Sequence, residues 1–196
     1  PKYRGASPIQ SALLNDEKVT GISVMKMTDG LDEGPVYFFH KQKILHKDNR
    51  NTLEEKLTSL AIKNIGKDLS EIYFDKLTPI KQGLKNISYC KKIDKLSGKI
   101  TLDQEESDSV FRKYKAYYDW PGLYFEFKNL KIKIHGIDLK VKKNTNFIKN
   151  KFYFHDNLLH AKTIDGSIVI TYLQFPGKRI ISSNDAANSY ADFFID

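Results

Sequence analysis

The order of strand and helix patterns in the first third of the sequence limits the folds open to it. Apolar residues alternate with small or polar ones over residues 21–27, and residues 36–44 are rich in β-branched and aromatic side chains, so both segments predict strands. Residues 28–35 between them are dense in turn formers. A capping box from Thr52 to Glu55 then predicts the start of an amphipathic helix. Strand, loop, strand and helix make a fragment of an α/β layer that is too short to form a doubly wound sheet alone.

A different pattern occupies the second half of the chain. Asp103 with Glu106 predicts one helix cap, and Ser182 with Asp185 predicts the cap of a final helix. Between the two helices, short strand candidates alternate with turns at residues 123–127, 130–135, 137–141, 152–154 and 167–175. Short strands at this spacing predict a small barrel, which we interpret as OB-like.

These patterns divide the chain into three segments. We predict an α/β, Rossmann-like fragment over residues 1–75, a Lys-rich linker over residues 76–99, and a small, mainly β, OB-like barrel domain over residues 100–196. No apolar run reaches the roughly 18 residues needed to cross a bilayer. The single cysteine, Cys90, cannot form an internal disulfide. We therefore expect a cytoplasmic protein with no membrane association and no metal site, in which Cys90 is structural.

The excess of positive charge predicts a polyanionic partner. The chain carries 32 Lys and Arg residues against 24 Asp and Glu residues, a net charge of +8. Lysines that neutralise phosphates release counterions and so gain binding free energy. Codon usage in an AT-rich genome is the alternative source of a lysine excess, and composition alone does not choose between the two. In residues 131–134 lysines alternate with isoleucines, which as a strand would point the lysines to solvent and the isoleucines into the core.

Two motifs in the first third resemble those of folate-dependent formyltransferases. Residues 1–9 read Pro-Lys-Tyr-Arg-Gly-Ala-Ser-Pro-Ile, similar to the segment that follows the catalytic histidine of the family. Residues 20–34 end in Gly-Leu-Asp-Glu-Gly and are similar to the family's Gly-Leu-Asp-x-Gly run. The resemblance implies that Asp32 is catalytic and acts with an Asn and a His that precede the first motif in the family. The residues it implies for a folate site are Pro1, Gly30, Leu31 and Gly34.

The chemistry of formyl transfer explains this set of residues. An amine attacks a formyl group carried on a tetrahydrofolate nitrogen, so the site must stabilise a tetrahedral oxyanion and move protons between two nitrogens. Asp32 would position the imidazole and a water, and would favour the charged form of the imidazole. Gly30 and Gly34 would let the loop turn tightly and approach the pterin closely, because glycine tolerates positive φ. The alternative is a surface turn with a solvated Asp32, but the neighbouring motifs favour catalysis. We expect His40 and His46 to be structural or exposed.

The second half of the sequence resembles the methionyl-tRNA formyltransferase family. Residues 120–122 match its Trp-Pro-Gly, and residues 173–179, Leu-Gln-Phe-Pro-Gly-Lys-Arg, are similar to its Leu-Gln-Pro-x-Gly-Lys-Lys. Residues 115–119 depart from the pattern, reading Lys-Ala-Tyr-Tyr-Asp where the family has Arg-Ala-Phe-Asn-Pro. The resemblance implies formylation of the amino group of methionyl initiator tRNA by 10-formyltetrahydrofolate, in an enzyme that is a monomer at full length. The implied tRNA-binding residues are Lys131, Lys133, Lys140, Lys142, Lys143, Lys178 and Arg179.

Two other functions are compatible with these residues. A formyltransferase acting on a sugar nucleotide or a purine precursor would share the Gly-Leu-Asp-x-Gly loop, but its C-terminal region should lack the motif at residues 173–179. A non-catalytic RNA-binding module would use the basic second half without any chemistry. Because the Asn and His partners of Asp32 are expected upstream of Pro1, we predict that the 196-residue chain alone transfers no formyl group.

Overall fold

The computed structural model describes residues 2–142 and 150–195 of the chain. They form two compact units, Pro1–Ile93 and Asp94–Asp196. The search for a membrane-crossing helix, made over the described part of the chain, finds none that is long and apolar enough.

The first unit combines short strands with two helices. In chain order the elements are β1 (Arg4–Gly5), α1 (Pro8–Leu14), β2 (Val19–Met25), β3 (Val36–Lys43), α2 (Arg50–Tyr73) and β4 (Tyr89–Cys90). β2 and β3 pair antiparallel, and β1 pairs in parallel with β4. The two strands and the connecting loop predicted for residues 21–44 are thereby confirmed, although β2 begins and ends two residues earlier than its pattern indicated.

Helix α2 begins before the capping box predicted from Thr52. Its N-cap is Asn49, whose side chain accepts a hydrogen bond from Thr52 N at 3.0 Å, while Thr52 Oγ1 accepts one from Asn49 N at 3.0 Å. The predicted cap is therefore wrong by three residues, because Asn49 and Thr52 satisfy each other's backbone donors. Further along the helix Asp68 is buried, and its Oδ2 lies 2.7 Å from His40 Nε2 on β3.

The segment assigned to a linker from the sequence is largely part of the first unit, which extends to Ile93. Val36 and Ile80 exchange two backbone hydrogen bonds of 2.8 Å. Cys90 Sγ accepts a hydrogen bond from Ser7 N and donates one to the carbonyl of Tyr3, both at 3.2 Å. Pairings of one or two residues leave no periodicity in a sequence, which is why this segment has the pattern of a loop.

The second unit is built on an antiparallel sheet. Its elements are α3 (Ser107–Ala116), β5 (Leu123–Phe127), β6 (Leu130–Lys142), β7 (Phe152–His155), β8 (Leu158–Thr163), β9 (Gly166–Gln174), β10 (Ile180–Ser182) and α4 (Ser183–Tyr190). The strand order is β5-β6-β9-β8-β7, with β10 added to β9. The sequence patterns missed β8 and β10. They also split β6 in two at Gly136, where the register shifts but the strand continues.

The two helix caps predicted in the second unit have different outcomes. The cap of α4 is confirmed, since Ser182 Oγ accepts from Asp185 N at 3.1 Å. The cap of α3 is wrong, because Asp103 lies in a separate 3-10 turn and the Ser107 amide donates to Asp165 Oδ1 at 2.8 Å. Burial opposes ionisation of Asp165, but the hydrogen bonds from Ser107 outweigh it and hold the pKa of this carboxyl below its usual value.

A cluster of phenylalanine rings forms part of the core of the second unit. Phe194 is 1% exposed, and its ring centroid lies 5.2 Å from that of Phe152 and 6.0 Å from that of Phe127. Phe125 of β5 also lies 5.0 Å from Phe152 of β7. Because β5 and β7 are the two ends of the sheet order, the sheet must curl over this core. The pairings between described strands do not join those ends, so the predicted closed OB-like barrel is not confirmed.

Replacing Phe194 with Ala should lower the free energy of unfolding of the second unit by about 3–5 kcal/mol, because the change empties the centre of the aromatic core. Chemical denaturation followed by the fluorescence of Trp120, the single tryptophan, measures this unit. The control is Ile195→Ala at the neighbouring position, which is 55% exposed and should change stability little. Equal losses in the two variants would contradict the role of Phe194.

Candidate functional site

The Gly-Leu-Asp-Glu-Gly segment lies in the loop between β2 and β3. Lys26 N donates to the carbonyl of Pro35 at 2.9 Å and closes the loop at its base. Gly34 is buried there, and a Cβ at this position would lie 1.8 Å from the Lys26 carbonyl oxygen, so a larger residue does not fit. Neither Gly30 nor Gly34 uses the positive φ that glycine tolerates. The residue of this loop in the left-handed region is Asp32, with a φ of 50°.

The carboxylate of Asp32 is tied to the beginning of the chain. Its Oδ2 accepts a hydrogen bond of 2.8 Å from Gly5 N, and the residue is half-buried. Gly5 has a φ of 122°, and a Cβ there would lie 2.4 Å from the Cys90 carbonyl oxygen. Glycine at position 5 therefore allows both the contact with β4 and the hydrogen bond to Asp32.

Gln82 holds the backbone of the same loop. Its Nε2 donates to the carbonyl of Asp32 at 2.9 Å and to the carbonyl of Gly34 at 2.8 Å. Its Oε1 accepts from Arg4 Nη2 at 3.0 Å. The Asp32 loop is thus fixed at its carboxylate by Gly5 and at its carbonyls by Gln82.

Arg4 lies under this network and is 7% exposed. Its Nη1 is 4.0 Å from Glu33 Oε2, and within the described residues its Nε has no hydrogen-bond partner. Sequence reasoning singled out neither Arg4 nor Gln82. Arg4 stands in the motif of residues 1–9, which was a signal for it. Gln82 lies in the segment interpreted as a linker, where nothing distinguished it.

Asp32, Arg4 and Gln82 line one open cleft of about 770 Å³. The face formed by β2 and β3 is mainly apolar and contributes Met25, Val36, Phe38 and Phe39 to the lining. Small-molecule sites are generally clefts of this size, apolar with a few placed polar groups. The geometry therefore makes the cleft a candidate binding site with Asp32 at its wall.

A tyrosine-carboxylate pair lies on another part of the cleft wall. Tyr3 Oη donates to Glu17 Oε1 at 2.7 Å, and Lys2 Nζ donates to the same oxygen at 2.7 Å. Burial, together with this hydrogen bond to Glu17, raises the pKa of Tyr3 to about 12. Tyr3 is therefore a protonated hydrogen-bond donor at neutral pH rather than a base.

The residues predicted for a folate site are not gathered around the cleft. Leu31 is 59% exposed, and the cleft lining contains neither Gly30 nor Leu31 nor Gly34. Pro1 lies outside the described residues. The folate assignments of these four positions stay predictions. Over residues 2–142 and 150–195, no three side chains that bind metals come together.

The basic residues predicted for RNA binding lie in the second unit. Lys131 and Lys133 are exposed and alternate with Ile132 and Ile134, which are buried, as the pattern indicated. Lys131 Nζ lies 3.6 Å from the centroid of the Tyr124 ring, a cation–π contact. Lys140 and Lys142 belong to β6, and Lys143 lies outside the described residues.

The turn after β9 comes close to the same strand. Lys133 pairs with Gln174 on β9, and Gln174 in turn pairs with Ile180 on β10. Gln174 Nε2 also donates to the carbonyl of Lys178 at 2.8 Å. These contacts bring the basic turn beside Lys133, where β9 ends. Lys178 and Arg179 of this turn are exposed.

Comparison with known proteins matches both units. Residues 1–67 match the family model described as formyl transferase, and residues 92–191 match the model described as formyl transferase, C-terminal domain. A methionyl-tRNA formyltransferase from Nitratiruptor sp. is 39% identical, with 93% of this chain and 58% of that protein covered. One from Caldicellulosiruptor saccharolyticus is 32% identical, with 97% of this chain and 61% of that protein covered.

The fold also matches a solved formyltransferase. The N-formyltransferase from Helicobacter canadensis, in complex with folinic acid and dTDP-3-aminofucose, superposes with a TM-score of 0.66 at 19% identity, covering 87% of this chain and 62% of that protein. This chain spans about three fifths of the length of the two relatives named methionyl-tRNA formyltransferase. The chain therefore belongs to the formyltransferase family, as a relative of the methionyl-tRNA formyltransferases.

Proposed function

We propose that this chain belongs to an enzyme that transfers the formyl group of 10-formyltetrahydrofolate to the amino group of methionyl initiator tRNA, in translation initiation. The observation that carries the proposal is the position of Asp32. This residue of the Gly-Leu-Asp-Glu-Gly motif lies at the wall of a cleft, where the Gly5 amide holds its carboxylate. The relatives of 32–39% identity support the choice of acceptor. The enzyme is proposed to act in the cytoplasm, as a monomer at full length and with no metal.

The geometry of Asp32 suits a positioning role in the transfer. The amine nitrogen bonds to the formyl carbon, the bond from that carbon to N10 of the folate breaks, and the proton lost by the amine is passed to N10. Gly5 N donates a hydrogen bond to Oδ2 of Asp32, and no donor among the described residues bonds to Oδ1. This second oxygen is free to orient a water and an imidazole, and we propose that the imidazole belongs to a histidine upstream of Pro1.

The second unit is proposed to bind the tRNA. Its exposed lysines on β6 and the basic turn after β9 form a cluster at which phosphates would release counterions. Contacts of this kind position an RNA without reading its sequence. We propose that this unit is an OB-like barrel whose RNA contacts come from Lys131, Lys133, Lys140, Lys142, Lys143, Lys178 and Arg179.

A sugar-nucleotide formyltransferase is the second candidate. The fold neighbour from Helicobacter canadensis is described with dTDP-3-aminofucose, so likeness of fold does not by itself select the acceptor. The two candidates differ in the amine they use. Formylation of methionyl-tRNA, with no reaction of a dTDP-amino sugar under the same conditions, supports the first and rejects the second.

Replacing Asp32 with Asn in the full-length enzyme should lower kcat/KM for methionyl-tRNA by about 10²–10⁴-fold, because an amide cannot favour the charged imidazole. The measurement is formyl transfer from 10-formyltetrahydrofolate. Asp29→Asn is the matched control, since Asp29 is exposed in the same loop and should retain full activity. An Asp32→Asn enzyme as active as the control would reject the catalytic assignment.

The 196-residue chain alone should give no formylation above background, and a mixture with the segment that precedes Pro1 should regain it. The physical reason is that Asp32 orients a group that this sequence is proposed not to supply. The assay is formyl transfer to methionyl-tRNA by each part alone and by the mixture. Activity of the 196-residue chain alone would show that no upstream residue is needed.

Replacing Lys133 and Lys178 together with Gln should weaken tRNA binding and reduce the slope of log Kd against log salt by about 1 to 2, if each lysine releases a counterion on binding. Filter binding over a salt series measures both quantities. The control removes the same charge from α2 by Lys63→Gln and Lys67→Gln, two exposed positions in the first unit. A slope that changes equally in both variants would count against this surface.

A further inference from the structure

Asp32 occupies a backbone conformation that its surroundings must maintain. With a φ of 50° it lies in the left-handed region, which a residue with a Cβ rarely adopts. Such a conformation persists where neighbouring contacts determine it, and it relaxes when they are removed. The hydrogen bond from Gly5 N holds the carboxylate of Asp32, so a separate contact is needed to hold its peptide.

Gln82 supplies that contact, and its amide has one acceptable orientation. Both carbonyls it faces, those of Asp32 and Gly34, need donors, and they lie 2.9 Å and 2.8 Å from Nε2. The guanidinium it faces, Arg4 Nη2 at 3.0 Å, needs an acceptor and finds Oε1. Reversing the amide would place oxygen against two carbonyls and nitrogen against a cation.

Arg4 is suited to fix Gln82 because its side chain is buried and its backbone is paired. The side chain is 7% exposed, and its backbone is paired in β1 with Tyr89 of β4. A guanidinium stays charged at all physiological pH values and presents its donors in a rigid plane. Arg4 thus reaches the Asp32 loop through Gln82.

We propose that Gln82 is a positioning residue for formyl transfer, which holds the Asp32 loop in the orientation needed for catalysis, and that Arg4 sets the orientation of Gln82. This inference rests on the proposed catalytic role of Asp32. Neither side chain needs to touch the reacting atoms, because their effect reaches the substrate through the peptide of Asp32. Displacement of a catalytic group by about 1 Å can reduce a rate about 10²-fold.

The first experiment replaces Gln82 with Met in the full-length enzyme, which keeps the length of the side chain and removes its donors and acceptor. We expect kcat for methionyl-tRNA to fall by about 10²-fold while KM for the tRNA stays unchanged. The alkaline limb of the kcat profile should move to lower pH, because a displaced carboxylate no longer raises the pKa of the imidazole, whose charged form is then lost at a lower pH. A general loss of stability would not move this limb.

The control for that variant is Gln42→Met. Gln42 is a half-buried glutamine on β3 whose amide donates to the neighbouring carbonyl of Lys43 at 3.0 Å, and it does not line the cleft. We expect its kcat and pH profile to match the wild type. If Gln82→Met also matches the wild type in both, the positioning role is rejected.

A double variant tests the connection between the two side chains. Arg4→Met should lower kcat in the same direction as Gln82→Met, and Arg4→Met combined with Gln82→Met should be no slower than the slower single variant. This result is expected because Arg4 acts through Gln82. If the two effects multiply, Arg4 acts independently, and its assigned role is overturned.

Hydrogen exchange separates this inference from the proposed function. In Gln82→Met the amides of Gly5 and of residues 26–34 should exchange faster, while the amides that join β2 to β3 should keep their protection. If the wild-type enzyme formylates no methionyl-tRNA, the proposed function fails. Faster exchange confined to the loop of Gln82→Met would still show that Gln82 fixes the loop. Unchanged exchange in the loop, or faster exchange across the whole unit, would overturn that hold.

Discussion

The hydrogen bond from the Gly5 amide to the Asp32 carboxylate is the constraint around which the first unit is organised. It requires Gly5 to lie against β4 with no Cβ, since a side-chain atom there would meet the carbonyl of Cys90 at 2.4 Å. That contact makes residues 88–90 part of the same structure as β1. The candidate site therefore depends on the two-residue backbone pairing of β1 with β4.

Positive charge alone does not locate a nucleic-acid surface on this chain. Residues 1–93 contain 16 Lys and Arg against 11 Asp and Glu, while residues 94–196 contain 16 against 13, so the second unit has the smaller net charge. What distinguishes the second unit is local density, since residues 128–151 contain eight lysines and one acidic residue. Counterion release depends on charges that lie close enough to meet neighbouring phosphates, so density matters more than the total.

The sequence predicted those parts of the fold that periodicity or a motif encodes. The strands on either side of the Asp32 loop, the alternation around Lys133 and the cap at Ser182 are confirmed. The cap of α3 was beyond sequence reasoning because its acceptor, Asp165, lies 58 residues further along the chain. β8 was missed because Ala161 and Lys162 are not typical strand formers, and burial between β7 and β9 overrides that propensity.

The candidate site divides in the same way between motif and tertiary contact. A motif identifies a residue whose type is needed at a fixed spacing, which is why Asp32 could be named from sequence. Gln82 belongs to no motif with a fixed spacing. Its role follows from the hydrogen bonds that it donates to two carbonyls about 50 residues earlier in the chain. Its contacts therefore depend on the chain between residues 34 and 82 having folded, including β3 and α2.

That dependence couples the site to the stability of the first unit. Arg4 and Gln82 are 78 residues apart, so the network under Asp32 forms only after a long loop has closed, and closure of such a loop costs entropy before any contact is gained. The exchange of hydrogen bonds between Val36 and Ile80, at the start of β3, brings Gln82 to the loop and offsets part of that cost. Ile80 is 76% exposed at the wall of the cleft, and its backbone hydrogen bonds to Val36 can thus affect the Asp32 loop without any contact of its side chain with Asp32.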